Sequence, residues 1–131
     1  MRLIFFLIFL FPGIIYSQIN LPYKVGERSV FDISFGGVKV GSAEMNITKQ
    51  MQINGVSSFH IIAKGKTSPF FDFFFKVRDV YETYLDTSNV LPVMFVRDIQ
   101  EGNYKKKQKY IFKHSDSAVS WEDTSAIIPI N

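Results

Sequence analysis

From residue 28 onward, apolar and polar residues alternate with a period of two, and Gly, Asn, Asp or Ser break the alternation at short intervals. Such alternation puts every second side chain on the same face of an extended chain, so it predicts β-strands. No run of ten or more residues carries the stripe of an amphipathic helix. The pattern therefore predicts an all-β protein. Six to seven antiparallel strands in a meander would form a curved sheet, half-barrel or open barrel.

Hairpin registers follow from pairing apolar positions across each turn. A three-residue loop Thr87-Ser88-Asn89, with Asn89 left-handed, pairs Val77 with Ile99, Tyr81 with Phe95, Thr83 with Val93 and Leu85 with Leu91. The same register sets two charged residues of that face, Asp79 and Arg97, directly opposite each other, with Gln108 next across. A Gly102-Asn103 turn then pairs Phe95 with Tyr110, and a turn at Asp116-Ser117 pairs Phe112 with Trp121. Upstream, Gly36-Gly37 joins Phe35 to Val38 and Ile33 to Val40. The apolar parity then switches beside Gly41-Ser42, which predicts a β-bulge there. A three-residue loop ending on Gly55 pairs Ile47 with Ile61 and Met45 with Ala63.

These registers gather Phe31, Ile33, Phe35, Tyr81, Phe95, Tyr110 and Phe112 into a candidate ligand or core face, with Asp79 and Arg97 as its polar anchor pair. The stretch "SPFFDFFFKV" (68–77) fits neither period. Its Phe70, Phe71, Phe73, Phe74 and Phe75 are expected on a short turn or helical crossover opened by Pro69, folding over the sheet as an aromatic lid. Asp72 in their midst argues against a membrane wedge. The lid requires most of the five rings to be covered.

The first seventeen residues belong to a different class. Arg2, the apolar run Leu3 to Phe11, the Pro12-Gly13 break and the small Ser17 have the order of a cleaved export signal. The apolar run is too short to span a bilayer, which takes roughly 20 residues. Cleavage after Ser17 leaves 114 of the 131 residues, enough for one β-rich domain over 18–131. The expected location is the periplasm or the outside of a cell with a Gram-negative type envelope, with no spanning segment left after cleavage.

Composition narrows the chemistry. With no cysteine there are no disulfides, so stability must come from packing. The formal net charge of +3 falls to +2 without Arg2, too mild to imply nucleic acid. The basic "YKKKQK" (104–109) alternates and reads as a solvated strand face. His60 and His114 lack metal-ligand spacing, and neither a nucleophile elbow nor a phosphate-cradling glycine loop occurs. No catalytic residue, metal or cofactor is expected.

Three segments carry a resemblance. "YKVGERSVFDISFGGVKVGSAEM" (23–45) has Gly26-Glu27, the glycine turn and the step from Val40 to Ala43. "GKTSPFFDFFFKVRDVYETYLD" (65–86) leads a phenylalanine cluster into Arg78 to Tyr81. "LPVMFVRDIQEGNY" (91–104) has Pro92, Arg97 and the turn from Glu101 to Tyr104. Together they resemble the exported bacterial family known only as domain of unknown function 3108. The resemblance implies a β-rich envelope protein and no activity. It also implies a longer chain, since "EDTSAIIPIN" (122–131) ends on an apolar run without a closing turn. The chain therefore reads as a shortened member or a fragment.

The functional expectation is non-enzymatic burial of an apolar or lipidic ligand, or of a hydrophobic segment of an envelope protein partner, against the aromatic face. The contrasting reading is a structural or interaction module whose face is filled by its own side chains. An enzyme acting on envelope material is a distant third.

Overall fold

A computed structural model describes residues 23–123, and the export signal expected over 1–17 and the apolar run at 124–131 lie outside them. Seven strands follow in chain order: β1 (Arg28–Phe35), β2 (Val38–Ile53), β3 (Val56–Thr67), β4 (Arg78–Asp86), β5 (Pro92–Glu101), β6 (Tyr104–Lys113) and β7 (Ala118–Asp123). They form one sheet in the order β1-β2-β3-β4-β5-β6-β7, every pair antiparallel, with β1 and β7 as open edges. Among the described residues the helical content is one short helix, α1 (Pro69–Asp72), between β3 and β4, and a 3-10 turn, His114–Asp116, before β7. The all-β meander is as expected, in the form of an unclosed sheet.

Local chemistry explains each turn, and in several places it overrules the expected register. Asn54 and Gly55 both take positive φ, 51° and 81°, as a two-residue type I′ hairpin requires. The expected three-residue loop is therefore wrong, yet Ile47 does pair with Ile61 and Met45 with Ala63. Thr48, bulged out between Ile47 and Lys49, supplies the missing residue. In the first hairpin Phe35 pairs with Val38 as expected. Ile33, however, faces Gly41 rather than Val40, because Val40 is the bulged residue. Its carbonyl, freed from the ladder, accepts from the Ser68 amide at 2.9 Å.

The β4–β5 connection departs furthest. Its loop holds four residues, not three, and the left-handed position belongs to Val90 (φ 62°) rather than Asn89. Asp86 Oδ1 accepts the Ser88 amide at 2.7 Å, and Asn89 Oδ1 accepts the Leu91 amide at 2.9 Å. These side-chain bonds shape the loop and hold a β-branched residue where it rarely sits. A bulge at Val93 adds a second residue, so Tyr81 pairs with Arg97, Thr83 with Phe95 and Leu85 with Pro92. Val77 bridges to Glu101. A slip of two keeps every side chain on its face, so the aromatic face survives although none of its expected β4–β5 pairs does. At the last turn, residues 114–117 form the connection. Tyr110 pairs with Trp121 and Phe112 with Val119, correcting the expected Phe112–Trp121 pair.

One face of a sheet with apolar alternation ordinarily packs on a second layer. The described residues contain no such layer. Among them the buried hydrophobic side chains are Ile47, Phe59, Tyr84 and Val93, all in the central strands, while Phe31, Ile33, Phe35 and Trp121 are exposed. Among the described residues the sheet thus displays an apolar face without covering it.

Candidate functional site

The register lays the aromatic face out in rows across the sheet. One row runs Ser29, Met45, Ala63, Tyr81, Arg97, Gln108; the next runs Ile47, Ile61, Thr83, Phe95, Tyr110, Trp121. Phe31 pairs with Ala43 and Ala43 with Gly65, so small residues lie between the β1 aromatics and Tyr81. All seven residues of the expected apolar face share it. Tyr81, Phe95, Tyr110 and Phe112 are half-buried, whereas Phe31, Ile33 and Phe35 on the edge strand are exposed. The Tyr81 and Phe95 rings stack at 6.2 Å between centroids, and Phe95 and Tyr110 lie 6.0 Å apart.

The expected Asp79–Arg97 ion pair does not form, because the two-residue slip moves Arg97 opposite Tyr81. The ladder between β4 and β5 lapses between Val80 and the isolated bridge at Val77. There the buried Asp79 carboxylate accepts the Gln100 amide at 3.0 Å. Burial of the ring, helped by this charge, raises the Tyr81 hydroxyl above the usual phenol range. Arg97 instead donates to Gln108 Oε1, from Nε at 2.6 Å and also from its terminal nitrogen, and Tyr110 donates to the same oxygen at 3.1 Å. Gln108 is only 5 % exposed, so its carbonyl is the acceptor on which both donors depend. Gln108→Leu is expected to cost about 2 kcal/mol, the scale of a bond to a charged group plus a stranded donor, while Gln108→Glu keeps the acceptor. Urea unfolding of the two variants checks this.

A groove of about 420 Å³ opens on this face over β1 to β4. Met45, Ile47, Ile61 and Leu85 line it, and Tyr23, Glu27 and Ser29 add polar atoms. The lead-in before β1 builds that polar side. Gly26, at φ 94°, donates its amide to the Ile47 carbonyl at 2.8 Å, and the Glu27 carbonyl accepts the Ile47 amide at 2.9 Å. Chain order alone gave no sign of this site, because it depends on where the lead-in turns. The signal available was Gly26 beside Glu27, a left-handed position next to an acidic residue.

The lid expectation fails. Phe70, Phe73, Phe74 and Phe75 are 55 % to 88 % exposed and only Phe71 is partly covered. The crossover is helical as expected, but α1 has one turn, and the rings of the crossover stay mostly exposed instead of folding over the sheet. What turns inward is Asp72. It bonds Arg78 through both oxygens and Thr67 through its hydroxyl, and these bonds hold its carboxyl below the usual range.

The opposite face carries a cluster that spacing along the chain did not reveal. His60 Nε2 lies 2.7 Å from Glu82 Oε2, Thr48 Oγ1 lies 3.0 Å from His60 Nδ1, and the Tyr84 hydroxyl donates to Glu82 at 3.0 Å. The His60 and Tyr84 rings stack at 4.5 Å. Burial raises the Tyr84 hydroxyl to about 12, helped by its bond to Glu82. Burial also works to raise Glu82, but bonds from His60 and Tyr84 outweigh it and hold the carboxyl low. His60 opposite Tyr84 follows from the β3–β4 register, and the bulge at Thr48 aims its hydroxyl at the ring. Both ring nitrogens are engaged within the protein, so the cluster reads as a clamp across β2, β3 and β4. Among the described residues no group of three or more His, Asp or Glu could hold a metal ion.

Residues 30–127, about three-quarters of the chain, match the family described as "Protein of unknown function (DUF3108)". The chain belongs to that family. This is the family its glycine turn, phenylalanine cluster and Glu101–Tyr104 turn resemble. No curated protein and no solved structure matches the chain. The site reading for this DUF3108 member therefore rests on its own geometry.

Proposed function

We propose that this DUF3108 protein is an exported, non-enzymatic envelope protein that binds a lipidic ligand on its aromatic face. The observation that carries the reading is the groove of about 420 Å³ lined by Met45, Ile47, Ile61 and Leu85. Its volume falls within the roughly 300–1,000 Å³ of small-molecule sites, and its polar atoms gather on one side as such sites require. Those atoms narrow the ligand. Ser29 and Tyr23 offer hydroxyls and Glu27 a carboxylate, a set that suits an uncharged, hydroxyl-bearing head and repels a fatty-acid carboxylate. The ligand class is a hydrocarbon chain with a neutral polar head, such as a monoacylglycerol.

A self-filled interaction module is the competing reading. It calls for interdigitated side chains, whereas a Cβ built at Gly65, mid-face, meets nothing within 4 Å. Export is supported by the order of charged, apolar and small residues in the first seventeen positions. The test is to isolate the protein from its native envelope and identify co-purifying lipids by mass spectrometry against an unrelated exported control. Enrichment of a neutral-headed lipid is expected; a lipid profile identical to the control would favour the self-filled module.

A further inference from the structure

The exposed phenylalanines converge with other apolar residues at one end of the sheet. Ser68 bonds to the Val40 carbonyl at 2.9 Å, which ties α1 to the bulge beside the first hairpin. Gly102 donates to the Lys76 carbonyl at 2.8 Å, which ties the end of the crossover to the β5–β6 turn. A Cβ at Gly102 would meet the Phe75 ring at 2.9 Å, so that ring lies against the turn. Phe70, Phe73, Phe74 and Phe75 thus share one end with Phe35 from the first turn and Tyr104 from the β5–β6 turn, all of them more than half exposed. The rings of Phe70, Phe71, Phe73 and Phe74 brace one another at 5.2 to 5.7 Å. These exposed rings make an aromatic tip at that end of the sheet.

Charge decides what meets it. Asp72, which in the sequence argued against a membrane wedge, is turned to the base of the tip and paired with Arg78. Lys39 is paired with Asp32 at 2.6 Å. Behind the rings stand Lys66, Lys76 and Lys105, all exposed and without an ion pair among the described residues, while Glu101 and the buried Asp79 oppose them with two negative charges. An apolar tip backed by an excess of cations is complementary to the surface of an anionic bilayer, where rings enter the acyl boundary and lysines face headgroups.

We propose that this end of the molecule docks on an anionic lipid membrane, with the phenylalanine tip inserted and the lysines on the headgroups. This surface is separate from the groove and does not depend on its having a ligand. The experiment is co-sedimentation of the protein with phosphatidylcholine vesicles, with and without about one-third phosphatidylglycerol. The protein should sediment with the anionic vesicles. The double variant Phe73→Ser/Phe74→Ser should lose about tenfold or more of that partitioning. Lys76→Gln should lose about fivefold on anionic vesicles, and added salt should reproduce that loss. Both variants replace exposed side chains, and their circular dichroism should match the parent. Met45→Asp, in the groove, should partition like the parent. Equal sedimentation of the parent and the double phenylalanine variant would overturn the proposal. So would a parent that stays in the supernatant with both vesicles, or a self-associating parent that the double variant makes monomeric, since the tip would then meet a second copy.

Discussion

Gly41→Val is expected to lower the stability of the domain by about 2–3 kcal/mol, the cost of forcing volume into a packed position. Gly41 is buried on β2 between Ile33 and Thr67, and a Cβ there would lie 2.6 Å from the Lys66 carbonyl oxygen. That oxygen belongs to the backbone and cannot swing aside as a side chain could. The two strands would have to part where the Ser68 amide ties the crossover to Val40. At roughly 4–8 °C per kcal/mol for a domain of this size, the melting midpoint should fall by about 10–20 °C. Gly65→Val is the control, because a Cβ at Gly65 meets nothing within 4 Å. It should change stability by less than about 1 kcal/mol. Thermal melts followed by circular dichroism distinguish the two, and equal losses would contradict the close approach at Gly41.

Met45→Asp is expected to weaken binding of a neutral single-chain lipid by about tenfold or more. Met45 lines the groove and is 44 % exposed, so the fold does not depend on its burial. A short carboxylate there cannot reach water past a seated chain. It must be desolvated by the ligand, or the ligand excluded. Stability should change by about 1 kcal/mol or less, the span of strand preferences at an exposed site. Titration calorimetry with monolauroylglycerol measures the loss. An unchanged affinity would place the ligand elsewhere than in this groove.

The sequence carried the architecture because alternation survives errors in register. Tyr81, Phe95 and Tyr110 lie on one face whether β5 is placed by the expected register or by the observed one, since the two differ by an even number of residues. The partner of Asp79 had no such protection. One added residue, Val90 in the loop, and one bulged residue, Val93, moved Arg97 away. The loop depends on hydrogen bonds that the Asp86 and Asn89 side chains accept, which apolar pairing does not weigh. The turn at Asn54-Gly55 failed for a related reason. The apolar pairs around Ile47 fitted a longer loop, and only the bulge at Thr48 reconciles them with the two-residue turn.

The phenylalanine cluster was misread through an assumption about packing. Five rings in six positions suggest a covered lid, yet the crossover that carries them, one helical turn followed by Phe73 to Phe75, is tethered by Asp72 and Arg78 with most of its rings exposed. Their tether was legible only once Arg78 could be placed beside Asp72. The groove was invisible to strand pairing, because it arises where the lead-in at Gly26 joins the ladder beside Ile47. That no second layer covers the face among the described residues is likewise a property of the assembled sheet rather than of any segment.

The central claim is that the apolar face left uncovered among the described residues receives a neutral-headed hydrocarbon chain in the groove over β1 to β4. Methyl-selective NMR with labelled methionine and isoleucine tests it most directly, since Met45, Ile47 and Ile61 line the groove while Ile99 and Ile111 lie on β5 and β6. Added monolauroylglycerol should shift the methyl signals of Met45, Ile47 and Ile61 in a saturable manner and leave Ile99 and Ile111 in place. Unmoved signals at Met45, Ile47 and Ile61 under a saturating lipid concentration would contradict the account.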